Sequence, residues 1–406
     1  MRRVRGSGAW IALVLALGLA GCGSIARAPL DVSLAAGQAP ASPLDAFRFT
    51  DQDEAAFDGF VDRWRADRGD SGQRHSRPAQ PMRILAVSAG GANGAYGAGV
   101  LSGWSQAGDR PDFDLVTGVS TGALIAPFAF LGPEWDARLR DAYTDPDAAR
   151  LTHGGWGLFR GPSLFGGRSL QDLVAKYVDD RLMRAVAEEH RAGRRLLVAT
   201  TNLDQQATVL WDMGAIALAG EASGQREAAA RLFETILVAS ASIPGVFPPV
   251  MIDHDGEPGG LAEMHVDGGV TSPFVLAPSR REAWAVQLSP PDHGAASERS
   301  ADELYVIVNG EIDPSPSITR GAAMPILTRT FDTMSKASVK AHLISSAAFA
   351  QARGARLSYA AIPPELGADS MAFQVDAMRR LFDAGAAAGR ERSAFTLLAS
   401  PDATAP

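Results

Sequence analysis

Gly118-Val119-Ser120-Thr121-Gly122 lies between an apolar, strand-like run, Phe113 to Val116, and a small-residue, helix-like run, Ala123 to Leu131. A serine on a tight strand-to-helix turn needs neighbours without bulk, because a Cβ at either glycine would crowd the backbone that pushes the hydroxyl outward. The helix that follows would aim its free N–H groups and positive dipole end at the same spot, favouring a developing oxyanion. The run therefore reads as a nucleophile elbow with Ser120 at its tip. With 42 glycines in 406 residues the spacing alone is weak, and an ordinary serine in a tight turn is the competing reading. The context has to decide.

Upstream, Arg83-Ile84-Leu85-Ala86-Val87 is a short apolar run of the buried parallel-strand type. It leads directly into Ser88-Ala89-Gly90-Gly91-Ala92-Asn93-Gly94. Consecutive glycines on a strand-to-helix turn leave unobstructed backbone N–H groups that can converge on an anion. A dinucleotide site is the rival reading, but the Gly-x-Gly-x-x-Gly match is loose and no acid closes a second strand at the usual distance. An oxyanion hole is favoured. Further strand-like runs are Leu196 to Thr200, Val209 to Met213, Met264 to Val266 and Leu304 to Val308. Helix-like stretches fall between them at Ala95 to Ser105, Leu170 to Tyr177 and Ala228 to Ala241. This alternation predicts an α/β sheet with helices on both faces.

Three blocks in this order resemble the patatin-like phospholipase family: the glycine-rich loop at 88–94, the elbow at 118–122, and Asp267-Gly268-Gly269. The stretch Ala239-Ser240-Ala241-Ser242-Ile243-Pro244-Gly245-Val246-Phe247-Pro248-Pro249-Val250 resembles the family's segment before that aspartate. Ala199-Thr200-Thr201-Asn202-Leu203-Asp204 is similar to another of its strands. The resemblance covers roughly residues 83 to 310. It implies a three-layer α/β/α fold with a mostly parallel central sheet. It also implies a Ser–Asp dyad with Ser120 as nucleophile and Asp267 as base, cleaving acyl esters of phospholipids or lysophospholipids, with the backbone N–H groups of Gly90, Gly91 and Ala92 as oxyanion hole. An aspartate of ordinary pKa, near 4, is a weak base, so Asp267 must meet the hydroxyl in a poorly solvated pocket. This chain departs from the family at Asn93, where Arg or Lys is usual, and at Ser88 and Ala89, where Asp and Gly are frequent.

An ordinary Ser-His-Asp hydrolase uses the same elbow, so the seven histidines need weighing. His265 alternates with Asp267 on one strand, and a packed strand residue is its favoured reading. His293 and His342 are the other positions where a triad histidine could sit. Trp104, Phe128, Phe130 and Trp156 could line an acyl groove, with core packing favoured. No cofactor is implied, and no His-x-x-x-His, cysteine pair or Asp-rich loop points to a metal.

The formal net charge is −8, and −11 once Arg2, Arg3 and Arg5 are removed with the first 21 residues. An acidic body without a long basic cluster argues against nucleic acid as the main partner. The basic start, the apolar run Ala9 to Leu19 and then Leu19-Ala20-Gly21-Cys22 read as a signal peptide ending in a motif that resembles the bacterial lipobox. Cys22 is the sole cysteine, so no internal disulfide competes for it. Lipidation at Cys22 would anchor the protein to a membrane. Gly23 at the next position resembles the outer-membrane class, and the implied location is the cell envelope, facing the periplasm. Residues 22–80 are expected as a tether with a short docking helix around Phe57 to Trp64, residues 81–310 as the catalytic domain, and 311–406 as a mainly helical extension packed upon it. A non-catalytic envelope lipoprotein that binds lipid or a partner is the alternative from another functional class.

Overall fold

A computed structural model describes residues 42–70, 81–145, 167–254, 261–276 and 301–400. The apolar runs become strands β1 (Arg48–Thr50), β2 (Arg83–Val87), β3 (Leu115–Val119), β4 (Arg195–Asn202), β5 (Ala207–Asp212), β6 (Val250–Asp253), β7 (Ala262–Asp267), β8 (Glu303–Val308), β9 (Arg356–Ala361) and β10 (Thr396–Ala399). They form one sheet in the order β1-β5-β4-β3-β2-β8-β9-β10, with the β6–β7 hairpin attached to β4 through β7. The five strands from β4 to β9 are parallel to their neighbours. Antiparallel β5, β1 and β10 close the edges.

Strand period two divides the core. Leu85, Val87 and Val116 enter one apolar cluster, while Ile84, Ala86 and Leu115 enter the other. On the first face lie, among others, the helices Gly94–Ala107, Thr121–Leu131, Arg226–Ser240 and Val375–Arg390. On the second lie Glu54–Asp70 and Ala323–Arg353. The fold is therefore three-layered, α/β/α, as the resemblance implied.

Three stretches differ in detail from the sequence reading. The strand expected to run to Met213 stops at Asp212, whose carboxylate accepts the Ala215 N–H at 2.9 Å and caps the helix Met213–Ser223. The expected tether is built into the body from residue 42 onward. There β1 pairs with β5, and Phe57, Phe60, Val61 and Trp64 are buried on one side of a 17-residue helix. The C-terminal extension supplies two strands as well as helices, so the sheet continues past residue 310 without a break. Residues 1–41, with Cys22 and the expected signal peptide, lie outside the described residues.

Two contacts outside the parallel core position the site. Helix Gly94–Ala107, which follows the glycine loop, meets helix Val375–Arg390 backbone to backbone. A methyl group on Gly99, Gly103, Gly385 or Gly389 would lie between 2.1 and 2.3 Å from a carbonyl oxygen of the opposite helix. Across the sheet, Arg48 of β1 binds both carboxylate oxygens of Glu263 on β7 at 2.7 and 3.0 Å. His265 Nε2 and Asn202 Nδ2 lie 3.1 and 3.0 Å from the same carboxylate. Burial opposes charge on Glu263, yet the His265 and Arg48 hydrogen bonds hold it well below the usual carboxylate range.

Candidate active site

β4 acts as the ruler of the site. Its N-terminal half pairs in parallel with β3, placing Val119 opposite Ala199. Its C-terminal half pairs with antiparallel β7, placing Asp267 opposite Thr200. The residue after Val119 therefore meets the end of β7, although 147 positions separate them in sequence.

Ser120 has φ 58° and ψ −124°, a left-handed conformation for a residue with a side chain. The turn is held from behind by Ser240, whose Oγ accepts the Ser120 N–H at 3.0 Å and donates to the Ala199 carbonyl at 2.7 Å. A Cβ on Gly122 would lie 2.2 Å from the Val87 carbonyl oxygen, so the crowding expected from the sequence is present. Ser120 Oγ donates to Asp267 Oδ2 at 2.5 Å. Asp267 Oδ1 accepts the Gly269 N–H at 2.7 Å, and its backbone is fixed by Ser242 at 3.0 Å and Thr201 at 2.9 Å. Gly268 packs so closely on Ala199 that a Cβ would sit 2.5 Å from that carbonyl oxygen. Burial pushes the Asp267 carboxyl up to about 7, with the Ser120 and Gly269 hydrogen bonds pulling the other way.

The glycine loop stands beside this pair. Ser88 Oγ accepts the Asn309 N–H at 2.9 Å, and Asn309 Nδ2 donates to the Ser88 carbonyl at 2.7 Å, which ties the loop to the end of β8. Gly91, at φ +56°, lies so near the C-terminal extension that a Cβ would sit 2.2 Å from the Ser370 carbonyl oxygen. That carbonyl accepts the Ala92 N–H at 2.9 Å. Among the described residues, the N–H groups of Gly90, Gly91 and Thr121 donate to no protein acceptor. Gly91 and Thr121 also line an apolar cavity walled by Leu124, Phe128, Leu173 and Phe373. Tyr143 reaches the cavity too, its hydroxyl donating to the Thr121 carbonyl at 2.9 Å.

A buried serine on a strained elbow, bonded to a buried carboxylate next to a glycine cradle, coincides with a sequence match. Residues 85–278 fit the family model described as patatin-like phospholipase. The chain carries a patatin-like phospholipase domain. The family is one of lipid acyl hydrolases. Among solved structures, the chain resembles VipD from Legionella pneumophila at 11% identity and a TM-score of 0.39, covering 79% of this chain and 68% of that one. No curated protein sequence matches it.

Within the patatin domain the structure brings Ser120 and Asp267 together and sets Gly90 and Gly91 beside them. Ala92 is a correction for the state seen here: its N–H already has an acceptor in Ser370, so two of the three expected loop donors are open. Asn93, in place of the family's cation, is buried, and its Oδ1 has no partner among the described residues. Among the described residues, no histidine hydrogen-bonds the side chain of Ser120 or Asp267. His265 bonds Thr200 Oγ1 at 2.9 Å and Glu263, and burial lowers its pKa, keeping it neutral. His342 Nδ1 pairs with the Ser338 carbonyl, and His293 lies outside the described residues. Of the aromatic candidates, Phe128 lines the cavity. Trp104 packs in the core against Phe113, Tyr305 and Phe395, Phe130 lies under the Arg194 guanidinium, and Trp156 is outside the described residues.

Sequence reasoning missed the roles of Ser240, Tyr143 and Ser370. Ser240 sat inside a quoted motif, where its repeated small neighbours signalled close packing. Nothing marks Tyr143 or Ser370, because their positions follow from how distant helices dock.

Proposed function

We propose that this protein hydrolyses acyl esters of phospholipids or lysophospholipids through a Ser120–Asp267 dyad and an acyl-serine intermediate. The observation that carries the reading is the 2.5 Å bond to a carboxylate of pKa about 7 from a buried, strained serine one residue before Thr121, which lines an apolar cavity. A base titrating near neutrality is matched to work at cellular pH, taking a proton and giving it back. Ser120 Oγ attacks the ester carbonyl carbon while its proton passes to Asp267. The tetrahedral oxyanion is met by the Gly90 and Gly91 N–H groups and by the Thr121 N–H at the positive end of its helix. Collapse breaks the bond to the alcohol, which leaves with the proton from Asp267. Water then attacks the acyl-serine, again giving its proton to Asp267, and the fatty acid departs as Ser120 recovers its proton.

The acyl chain would enter the apolar cavity walled by Leu124, Phe128, Leu173 and Phe373, which Gly91 and Thr121 also line. With a neutral Asn93 in the loop, stabilisation of the oxyanion rests on backbone dipoles rather than on a cation. An acyl anchor at Cys22, in the periplasmic face of the outer membrane, would raise the local concentration of lipid around such a site.

A fluorophosphonate probe tests the reading. Covalent labelling of wild type and none of Ser120→Ala is the expected result, followed by release of fatty acid from a panel of purified lipids detected by mass spectrometry. Failure of the folded wild type to label would leave a lipid-binding envelope lipoprotein as the surviving reading.

A further inference from the structure

Helix Ala323–Arg353 has its polarity reversed over much of its length. At 1.5 Å per residue it is about 46 Å long, and Val339, Leu343 and Ala350 are the residues it buries against the sheet. In the turns before Val339 the side facing the protein carries charge: Arg329 pairs with Asp332, and Lys336 with Glu311. The opposite stripe, at three- and four-residue steps, runs Ile326, Thr330, Met334, Ala337, Ala341 and Ile344, all exposed and none charged. Phe331 flanks it. Met334 and Ile344 are 66% and 64% exposed. Five of the ten large apolar side chains exposed among the described residues lie between Ile318 and Ile344, so this is a concentrated patch rather than ordinary scatter.

A chain of contacts ties this helix to the segment beside the glycine loop. Glu311, which holds Lys336, also accepts the N–H of Ala368, two residues before the Ser370 carbonyl that touches the glycine loop. Exposed Leu366 precedes that segment, and exposed Val270 follows Asp267 by three residues. The local charge also differs: residues 311–345 carry Arg320, Arg329, Lys336 and Lys340 against Glu311, Asp313 and Asp332, a slight basic excess on a chain whose net charge is −8. Arg320 and Lys340 are exposed beside the apolar stripe. No helix of the described residues is long and apolar enough to cross a membrane. A cationic-flanked apolar stripe of this kind lies in the plane of a lipid interface rather than through it.

We infer that the exposed stripe of helix Ala323–Arg353 docks onto an anionic lipid surface and holds the mouth of the site against the bilayer from which substrate is taken. The inference rests on the reading of the protein as a lipid ester hydrolase, and its test separates the two. The full chain carrying Cys22→Ser, Ser120→Ala and Met334→Cys, labelled with a polarity-sensitive fluorophore, is mixed with phosphatidylethanolamine–phosphatidylglycerol vesicles. A blue shift is expected at position 334. None is expected from the same label at Ser223→Cys, on a helix of the opposite layer. In the catalytically intact chain, Phe331→Asp with Met334→Asp should lower hydrolysis of vesicle lipid about tenfold or more and leave a water-soluble short-chain ester within about twofold.

An unchanged label at 334 with vesicles overturns the proposal. So does a label already shielded in buffer, which would mean that this chain covers the stripe, or a shift that depends on protein concentration alone, which would mean a second copy does. Docking by a chain that cleaves no ester would refute the hydrolase reading and keep the docking surface. Cleavage of the soluble ester without docking would do the reverse.

Discussion

The two sides of the candidate active site are fixed by different means. Ser120 and Asp267 are placed by strand register, because β4 pairs with β3 and β7 in succession and Ser240 bridges the elbow to Ala199. The glycine loop is placed by Asn309 at the end of β8 and by the C-terminal extension, through Ser370 and the glycine-to-glycine contact of two helices. The first side lies wholly inside the residues that match the family, 85–278; much of what holds the second lies outside them. Ser120 and Asp267, the proposed nucleophile and base, therefore lie within the family match, whereas part of what backs the cradle lies beyond it.

Substitutions break that comparison in graded steps. On the register side, Asp267→Asn should cut ester hydrolysis at least about a hundredfold while circular dichroism shows the fold intact; wild-type-like turnover would remove Asp267 from the chemistry. Ser240→Ala leaves the Ser120 N–H buried without an acceptor, at about 1–3 kcal/mol, so kcat should fall roughly tenfold and Tm should drop with it. On the other side, Phe373→Ala should act on substrate choice. KM for long-chain esters rises several-fold, and turnover of a short-chain ester stays within about twofold. Equal loss on both esters would mean that Phe373 supports the machinery rather than the acyl chain.

Proton linkage sharpens the same contrast. Asp267 must be ionised to act as base, so kcat should rise with pH and level off above about 7. Its carboxyl titrates near 7 when folded and near 3.9 when unfolded. Between those values the folded state holds the extra proton, so stability is lost as pH rises through that window. Asp267→Asn removes the buried charge and should raise Tm relative to wild type at pH 8, with the gap closing near pH 4. A variant less stable than wild type at pH 8 would show that the carboxylate is better solvated than its burial implies.

The sequence made the register side legible because each of its parts carries a local signature. Gly118 and Gly122 flag a turn with no room for a Cβ, Asp267-Gly268-Gly269 flags a strand end, and apolar runs of five or six residues flag buried strands. The cradle side was only half legible. Gly90 and Gly91 announce a loop that can bind an anion, but the partner of Ala92 lies 278 positions away, and no local pattern specifies which carbonyl a docked helix will deliver. The edge strand β1 was hidden for a related reason. Three residues are too few for a period, and what secures them is an ion pair from Arg48 to Glu263, more than two hundred positions later.

The close contact between Gly99, Gly103, Gly385 and Gly389 has a consequence for the birth of the molecule. The helix that carries the glycine cradle is backed by a helix that begins only at Val375, so during synthesis it waits for that later segment before it is clamped. Until helix Val375–Arg390 has been made, the glycine cradle of the proposed hydrolase site therefore lacks its backing.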